Sequence, residues 1–400
     1  MRIAVVGDTR HHLGPDGRPC AHDAVASQLE QWAALFDDVV LCVPVHGGEP
    51  PPAFRPYRST NLSLAPLRPG GGPGLRHKAV LVARIPGWAV RIRRALRQVD
   101  AVHLRAPCNV ALVGILLTAL APKRHRYAIY AGSWEGYPGE PWSYRAQRKL
   151  LGRGGFGGLV TVYARYPPAE PHVVSLFSPA FGLDEWEAEG PAVDAKLAAL
   201  EGLGAARPVR MVTVGELSPH KNQATVVRAV KLLHDQGLDA RLDVVGGGPL
   251  GGDLAALVRS LELEEAVRLR GPLPRQLVMA GYRAADFNVL ASRTEGYPKV
   301  VVEGMAAGAV AVTSRFPMSD HLLGDGRRGV TFRADDPSAL ASQLADLVAA
   351  PERVAAMIRA GRDYARTVTL ESYQAQVRAL LERHWAVALA RPAHGAGGGP

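Results

Sequence analysis

An α/β chain of two Rossmann-like, doubly wound parallel-sheet domains is what this sequence predicts, and three observations predict it. Short apolar runs alternate with helix-length segments along most of its length. The alternation lapses between Leu183 and Pro208, where the sequence turns acidic and rich in Ala, Gly and Pro, and it restarts at the apolar strand Val209 to Val214. Four hundred residues are also too many for one typical domain and enough for two, each able to bury its own core.

The first domain, expected over 1–188, opens on Arg2-Ile3-Ala4-Val5-Val6-Gly7-Asp8, a buried-strand pattern ending in a glycine turn. A helix from about His22 to Phe36 and a strand from Val39 to Val43 complete a βαβ unit. The Pro/Gly-rich stretch from Pro44 to Gly74 reads as a long surface excursion. A basic helix, a strand at Asp100 to Leu104, an apolar helix near Val110 to Ala121 and strands at Tyr127 to Tyr130, Leu159 to Tyr163 and Val173 to Phe177 follow.

In the second domain, expected over 205–368, helices near Asn222 to Gln236 and Leu250 to Leu261 alternate with strands at Leu242 to Val245 and Val267 to Leu269. Beyond a helix after Pro274 come strands at Phe287 to Ala291 and Val310 to Thr313. Such alternation implies parallel sheets with right-handed crossovers. A helical segment at 369–390 follows the second domain, and the Gly/Pro/Ala-rich residues 391–400 read as a disordered tail.

Composition excludes several classes. A 47% hydrophobic content is ordinary for a globular chain. Cys20, Cys42 and Cys108 are an odd number without metal-ligand spacing, and no charged-then-apolar leader precedes the first strand, which together read as a reduced cytoplasmic protein. The longest apolar run, Val110 to Pro122, is short of the roughly 20 residues a membrane span needs. Net charge is +10, of which residues 1–190, with 22 Lys plus Arg against 15 Asp plus Glu, hold +7. The densest patch, Arg84 to Arg97, carries Arg91, Arg93, Arg94 and Arg97 among apolar residues. Peripheral contact with an anionic membrane is weighed there and not favoured, because four cations without a second signal anchor weakly, and a solvated helix face over a core stripe is preferred. No nucleic-acid-binding motif is present.

The most informative segment is residues 292–308, Ser-Arg-Thr-Glu-Gly-Tyr-Pro-Lys-Val-Val-Val-Glu-Gly-Met-Ala-Ala-Gly. It sets Glu295 and Glu303 around a loop-to-helix junction, with Pro298 suited to the first helical position. A helix starting there turns unpaired amides and the positive dipole end toward the carboxyl edge of the sheet, where open α/β sheets bind phosphorylated ligands. The segment resembles the E-x7-E signature of retaining GT-B glycosyltransferases of family four. The same order and spacing run from Val214-Gly215-Glu216-Leu217 with Lys221, through Val245-Gly246-Gly247-Gly248-Pro249 and Leu269-Arg270-Gly271-Pro272-Leu273, to Ala285-Asp286.

The resemblance implies a GT-B fold whose two domains face each other across a cleft, with the acceptor on the first and the nucleotide sugar on the second. It also implies a last helix that crosses back to the first domain. The donor would be held by Gly215, Glu216, Lys221, Gly271, Leu273, Glu295, Gly296, Tyr297, Pro298, Lys299 and Glu303, with Arg10 and Gly14 of the early loop Thr9 to Gly17 approaching its phosphate. Glu303 would accept hydrogen bonds from ribose hydroxyls, a task that suits a carboxylate. Glu295 would orient the hexose and support positive charge at the anomeric carbon, and His103 would join it as a catalytic group.

The family's usual arginine after the glycine is replaced by Glu216, so the carboxylate is expected to point away and Lys299 to supply charge. A further family histidine is replaced within Ala131-Gly132-Ser133-Trp134-Glu135, which leaves Ser133, Trp134 or Glu135 as acceptor-site candidates. Trp134, Tyr137, Trp142 and Tyr144 read as an aromatic loop suited to stacking on a sugar. The glycine run 246–248 counts as fold evidence only.

The function expected is retaining transfer from a nucleotide-diphosphate sugar to a hydroxyl or amine of a small molecule, without a cofactor or metal motif. A nucleotide-sugar epimerase and a nucleotide-sugar-binding protein without transfer are the alternatives.

Overall fold

The computed structural model describes residues 1–51, 54–70, 74–120, 124–137, 139–164, 168–200, 203–204 and 207–389, so the 391–400 tail lies outside the described residues. The chain divides into two units, Met1–Phe177 with Ser372–Pro400, and Ser178–Glu371.

The first unit comprises β1 (Arg2–Val6), β2 (His11–Leu13), β3 (Pro19–His22), α1 (Asp23–Ala33), β4 (Asp38–Cys42), β5 (Val45–His46), β6 (Phe54–Pro56) and β7 (Leu62–Leu64). It continues through α2 (Leu75–Leu96), β8 (Ala101–Ala106), α3 (Asn109–Ala119), β9 (His125–Ser133), α4 (Trp142–Gly152), β10 (Leu159–Tyr163) and β11 (Val173–Ser175). The second holds α5 (Leu183–Ala188), α6 (Gly190–Ala198), β12 (Val209–Val214), α7 (Gln223–Asp235), β13 (Ala240–Val245), α8 (Gly251–Ser260), β14 (Val267–Gly271), α9 (Arg275–Ala284) and β15 (Phe287–Leu290). It ends with α10 (Lys299–Ala306), β16 (Val310–Ser314), α11 (Ser319–Leu322), β17 (Gly329–Phe332), α12 (Pro337–Val348) and α13 (Pro351–Thr367), and α14 (Leu370–Trp385) returns to the first unit from Ser372 onward.

Both main sheets are parallel and doubly wound. In the first unit the order is β11-β10-β9-β8-β1-β4-β7, and in the second β14-β13-β12-β15-β16-β17. Counted along the chain within each sheet, both read 3-2-1-4-5-6, with one further strand in the first, which is the Rossmann order. Strand direction of winding reverses between β1 and β8 in one sheet and between β12 and β15 in the other. Ligands of such sheets bind outside the carboxyl ends of the strands at that reversal.

Burial explains why these residues take these forms. Ile3 to Val6 are fully buried, as a parallel strand covered on both faces requires. On α7, Val226, Val227, Val230 and Leu233 recur at helical spacing and pack with Met211, Leu242 and Val244 of the sheet. α14 belongs with the first unit because Tyr373 packs edge-on to Phe177 and the Trp385 ring lies 5.0 Å from that of His125.

Three expectations are corrected. The division falls at Phe177 and not at 188 or 205, because α5 and α6 bond to the second unit: the Trp186 indole donates to the Arg362 carbonyl oxygen at 3.0 Å, and Arg283 pairs with Glu189 at 2.8 Å. The stretch from Pro44 to Gly74 is not only a surface excursion, since β5 and β6 join β2 and β3 in a four-stranded sheet and β7 extends the main sheet. Trp142 and Tyr144 stand on α4 and not in a loop.

Burial of imidazoles gives the first unit a pH dependence. Enclosure drives His103 well below the ordinary histidine value of 6.5 and holds His11 down to about 4. Between 6.5 and these lower values the unfolded chain binds protons that the folded chain refuses, so stability falls as pH drops through that window. We expect a lower urea midpoint at pH 5 than at pH 7, and a smaller loss for His103→Phe, measured by tryptophan fluorescence. An identical loss in the variant would remove His103 from the account.

Candidate active site

Two loops meet at the carboxyl edge of the second sheet, beside its reversal point. One leaves β12 through Gly215 and enters α7 at Asn222, and the other leaves β15 through Ala291 and enters α10 at Pro298. Contacts among the described residues join them: the Arg293 N–H donates to the His220 carbonyl at 2.9 Å and its guanidinium to the Pro219 carbonyl, Asn222 Nδ2 to that of Ala291 at 3.4 Å, and Lys221 Nζ to Glu295 Oε1 at 2.6 Å. Lys221 and Glu295 are 74 positions apart in sequence. Their side chains are 24% and 12% exposed, which leaves the pair reachable from solvent and partly desolvated.

The neighbouring corners explain the glycines. The Gly215 N–H bonds the Val245 carbonyl at 3.0 Å and the Gly246 N–H that of Gly271 at 2.9 Å, so the ends of β12, β13 and β14 are tied in series. A Cβ on Gly246 would lie 1.9 Å from the Gly215 oxygen, so no other residue fits that approach. The glycine run is therefore packing, as expected from the sequence. Glu216 is exposed, while its carbonyl accepts from Gln223 Nε2 at 2.9 Å.

Glu303 has a different neighbourhood. Arg275 Nη1 donates to its Oε1 at 3.0 Å and the Tyr282 hydroxyl to its Oε2 at 3.4 Å. Arg275 also bonds Glu185 at 2.9 Å and the Ala180 carbonyl at 2.9 Å. Burial works against the Arg275 charge, but Glu303 and Glu185 outweigh it and the net shift is upward. Sequence reading missed Arg275, although a cation in the first turn of a helix, just after Pro274, opposes the dipole and is a signal of an anion nearby.

Two buried devices set the position of α10. Asn288 Nδ2 donates to the Val300 carbonyl at 2.7 Å, and Gly304 lets the helix close on the strand, since a Cβ there would lie 2.6 Å from the same nitrogen. Lys196, on α6, donates to four carbonyls: Ala285 at 2.6 Å, Gly308 at 3.0 Å, Tyr282 at 3.2 Å and Ala307 at 3.3 Å. These carbonyls end α9 and α10, the helices that carry Arg275, Tyr282 and Glu303. Burial pushes the Lys196 ammonium down to about 8 while the Asp286 carboxylate opposes the shift.

The remaining expected donor residues fall around this edge. Leu273 packs with Met279 and Tyr282, and Gly271 ends β14. Gly296 lies in the loop, Pro298 precedes α10 and Lys299 opens it. Tyr297 is buried and its hydroxyl meets that of Tyr364 at 2.9 Å. A cavity of about 540 Å³ is lined by Leu217, Asn222, Arg228, Leu254, Arg293 and Asp335, and its lining includes neither glutamate.

In the first unit the expectation for His103 is corrected. His103 is fully enclosed, its ring 4.1 Å from that of Trp32 and 4.9 Å from that of Tyr127, with both nitrogens unpartnered. It sits inside the sheet, where no ligand reaches. Gly14 is consumed by the β2–β3 hairpin, its N–H bonding the Arg18 carbonyl at 2.8 Å, and Arg10 Nε bonds His12 at 3.0 Å. Of the acceptor candidates, Ser133 is buried, Trp134 packs edge-on to Tyr130 and Glu135 is exposed. Glu140, which sequence reading passed over, is buried and held by Arg148 at 2.7 Å.

Residues 204–364 match the model for glycosyl transferases group 1. A GDP-mannose-dependent alpha-(1-6)-phosphatidylinositol monomannoside mannosyltransferase from Mycolicibacterium smegmatis is 29% identical over 76% of this chain and 81% of that relative. A D-inositol 3-phosphate glycosyltransferase from Streptomyces avermitilis is 30% identical over 55% of this chain, which spans only half of that relative. The chain is thus similar to glycosyl transferases group 1 over residues 204–364. Sucrose-phosphate synthase from Thermosynechococcus elongatus superposes with a TM-score of 0.70 at 16% identity, covering 96% of this chain and 99% of that one. Anabaena HepE, in complex with UDP and glucose, gives 0.68 at 15% identity over 95% and 99%. The fold is GT-B.

The frame around Glu303 is testable. Lys196→Met removes the ammonium donor from four carbonyls, and we expect a loss of about 3 kcal/mol in the stability of the second unit, read as a lower guanidinium midpoint. A change within the error of the wild type would remove Lys196 from the frame.

Proposed function

We propose that this chain is a retaining glycosyltransferase that moves a sugar from a nucleotide-diphosphate sugar to a hydroxyl or amine of a small-molecule acceptor, with protein groups and no metal ion holding the diphosphate. One observation carries the reading: Lys221 and Glu295, from separate loops, converge at the reversal point of a Rossmann-ordered sheet directly before the N-terminus of α10. A cation, a carboxylate and a helix N-terminus at one edge suit a ligand that is anionic at its phosphates and becomes cationic at its sugar.

In the proposed reaction the bond from the anomeric carbon to the phosphate oxygen breaks and its electron pair stays with the diphosphate. Lys221 and the first amides of α10 stabilise that charge as it develops. Glu295 orients the hexose and offsets the positive charge on the anomeric carbon. The acceptor attacks from the face the diphosphate leaves, and its proton passes to a leaving phosphate oxygen, which gives retention. Glu303 takes the ribose hydroxyls and Arg275 fixes its carboxylate in place, while Lys299 stands in for the arginine that Glu216 replaces.

GDP-mannose is the first donor to test, since the mycobacterial relative's name specifies it, and UDP-glucose the second, since HepE binds UDP and glucose. Nucleotide release and the anomeric signal, followed by NMR with and without acceptors, separate the readings. Transfer with retained configuration supports the proposal. An isomerised donor without acceptor would replace it with an epimerase, and binding without turnover with a sugar-nucleotide-binding protein.

Single substitutions test the roles. We expect Lys221→Ala to lower kcat by about 10²- to 10³-fold. Glu303→Ala should raise the donor KM by roughly tenfold or more with a smaller change in kcat. An unchanged donor KM for Lys299→Ala would refute its stand-in role and leave the rest intact.

A further inference from the structure

The α2 helix has two faces, and neither is the polar one that a solvated surface helix presents. Its inner face, with Trp88, Ile92, Ala95 and Leu96, is buried in the first unit's core. Its outer face carries Ala79, Ala83, Pro86 and Val90, which recur at i, i+4, i+7 and i+11 and are all exposed. Val82 and Val90 are 65% and 68% exposed. α3 packs beside α2, contains no charged residue, and ends at Leu120, which is 87% exposed.

Cations bracket this apolar stripe. Arg76 and Lys78 precede it, Arg91, Arg93 and Arg94 follow it, and α2 contains no Asp or Glu anywhere along its 22 residues. Beside the core stripe that the sequence predicts, the exposed apolar side chains are the second signal that the cations lacked.

We propose that the outer face of α2, with the exposed end of α3, is a docking surface for a lipid bilayer carrying anionic headgroups. Apolar residues enter the acyl boundary while the bracketing arginines meet phosphate, the division of labour of a helix lying in the interface plane. No described helix is long and apolar enough to cross a membrane, so α2 lies on the bilayer. Charge decides against a second copy of this chain as the occupant, because two such faces would bring together cations with no acidic residue between them. An anionic surface neutralises those cations, and it also covers the apolar stripe.

The full chain, pelleted with vesicles of phosphatidylcholine alone or mixed with phosphatidylglycerol, tests this without any sugar transfer. We expect binding only to the anionic vesicles, weakened by high salt. Each neutralised arginine should cost about fivefold in partitioning, so R91Q/R93Q/R94Q should lose about a hundredfold. V82D/V90D should lose at least tenfold with every cation retained. All five positions are exposed, so circular dichroism and thermal melting should match the wild type, and donor turnover should be unchanged. Absence of binding to anionic vesicles at low salt would overturn the proposal, as would binding that survives V82D/V90D. A dimer in light scattering that V82D/V90D converts to monomer would assign the face to a second copy instead.

Discussion

The Lys221–Glu295 contact is the interaction on which the reading of the second unit depends. Strand order makes it available: because winding reverses between β12 and β15, the loops that leave these neighbours diverge to opposite faces and open a crevice where they part. Arg293, Asn222 and the ion pair hold the two loops together across that crevice. An ion pair at such a place is poised for exchange. A phosphate offers Lys221 the same chemistry as Glu295 does, so the lysine can pass from one anion to the other without being left bare in a partly desolvated site.

Glu303 depends on a different constraint, the rigidity of the helices that hold it. Its two oxygens meet Arg275 and Tyr282, both from α9, while the carboxylate itself rides on α10. The far ends of these two helices converge on one ammonium, that of Lys196, and Arg362 adds a bond of 2.7 Å to the Ala306 carbonyl at the end of α10. Acceptor carbonyls at a helix end carry the negative end of its dipole, so buried cations there stabilise the helices and fix their relative position. The Glu303 carboxylate is thus held by α9 side chains while Lys196 ties the carboxyl ends of both helices.

Much of the second unit was legible in sequence because its elements are long, apolar and regularly alternating. β12 was bounded as Val209 to Val214 in both readings, and α7, α8 and β15 agree within one or two residues at each end. Both glutamates and Lys221 were found by motif, but the contact between Lys221 and Glu295 was not, since nothing local links positions 74 residues apart. Lys196 was invisible for a related reason. Its partners are backbone carbonyls, which leave no trace in residue identity, and it falls in the segment whose acidic, small-residue composition resembled a linker. Composition reports whether a stretch forms a large core of its own, and α6 instead completes the core of its neighbours through Val193.

The first unit was read less well because its departures from a simple α/β pattern occur in short elements. β2, β3, β5 and β6 span two to four residues each, below the length at which period-two alternation can be told from a turn-rich loop. His103 failed for another reason: a histidine in a strand reads the same whether its ring faces a ligand or lies against Trp32, and only enclosure decides. The α2 helix shows the converse limit. Its apolar residues populate more than one stripe, yet a helix on the surface of one unit can bury only one side. The surplus apolar side is where the chain's uneven charge acquires a physical meaning, since cations and exposed valines on one face together demand a partner that is both anionic and greasy.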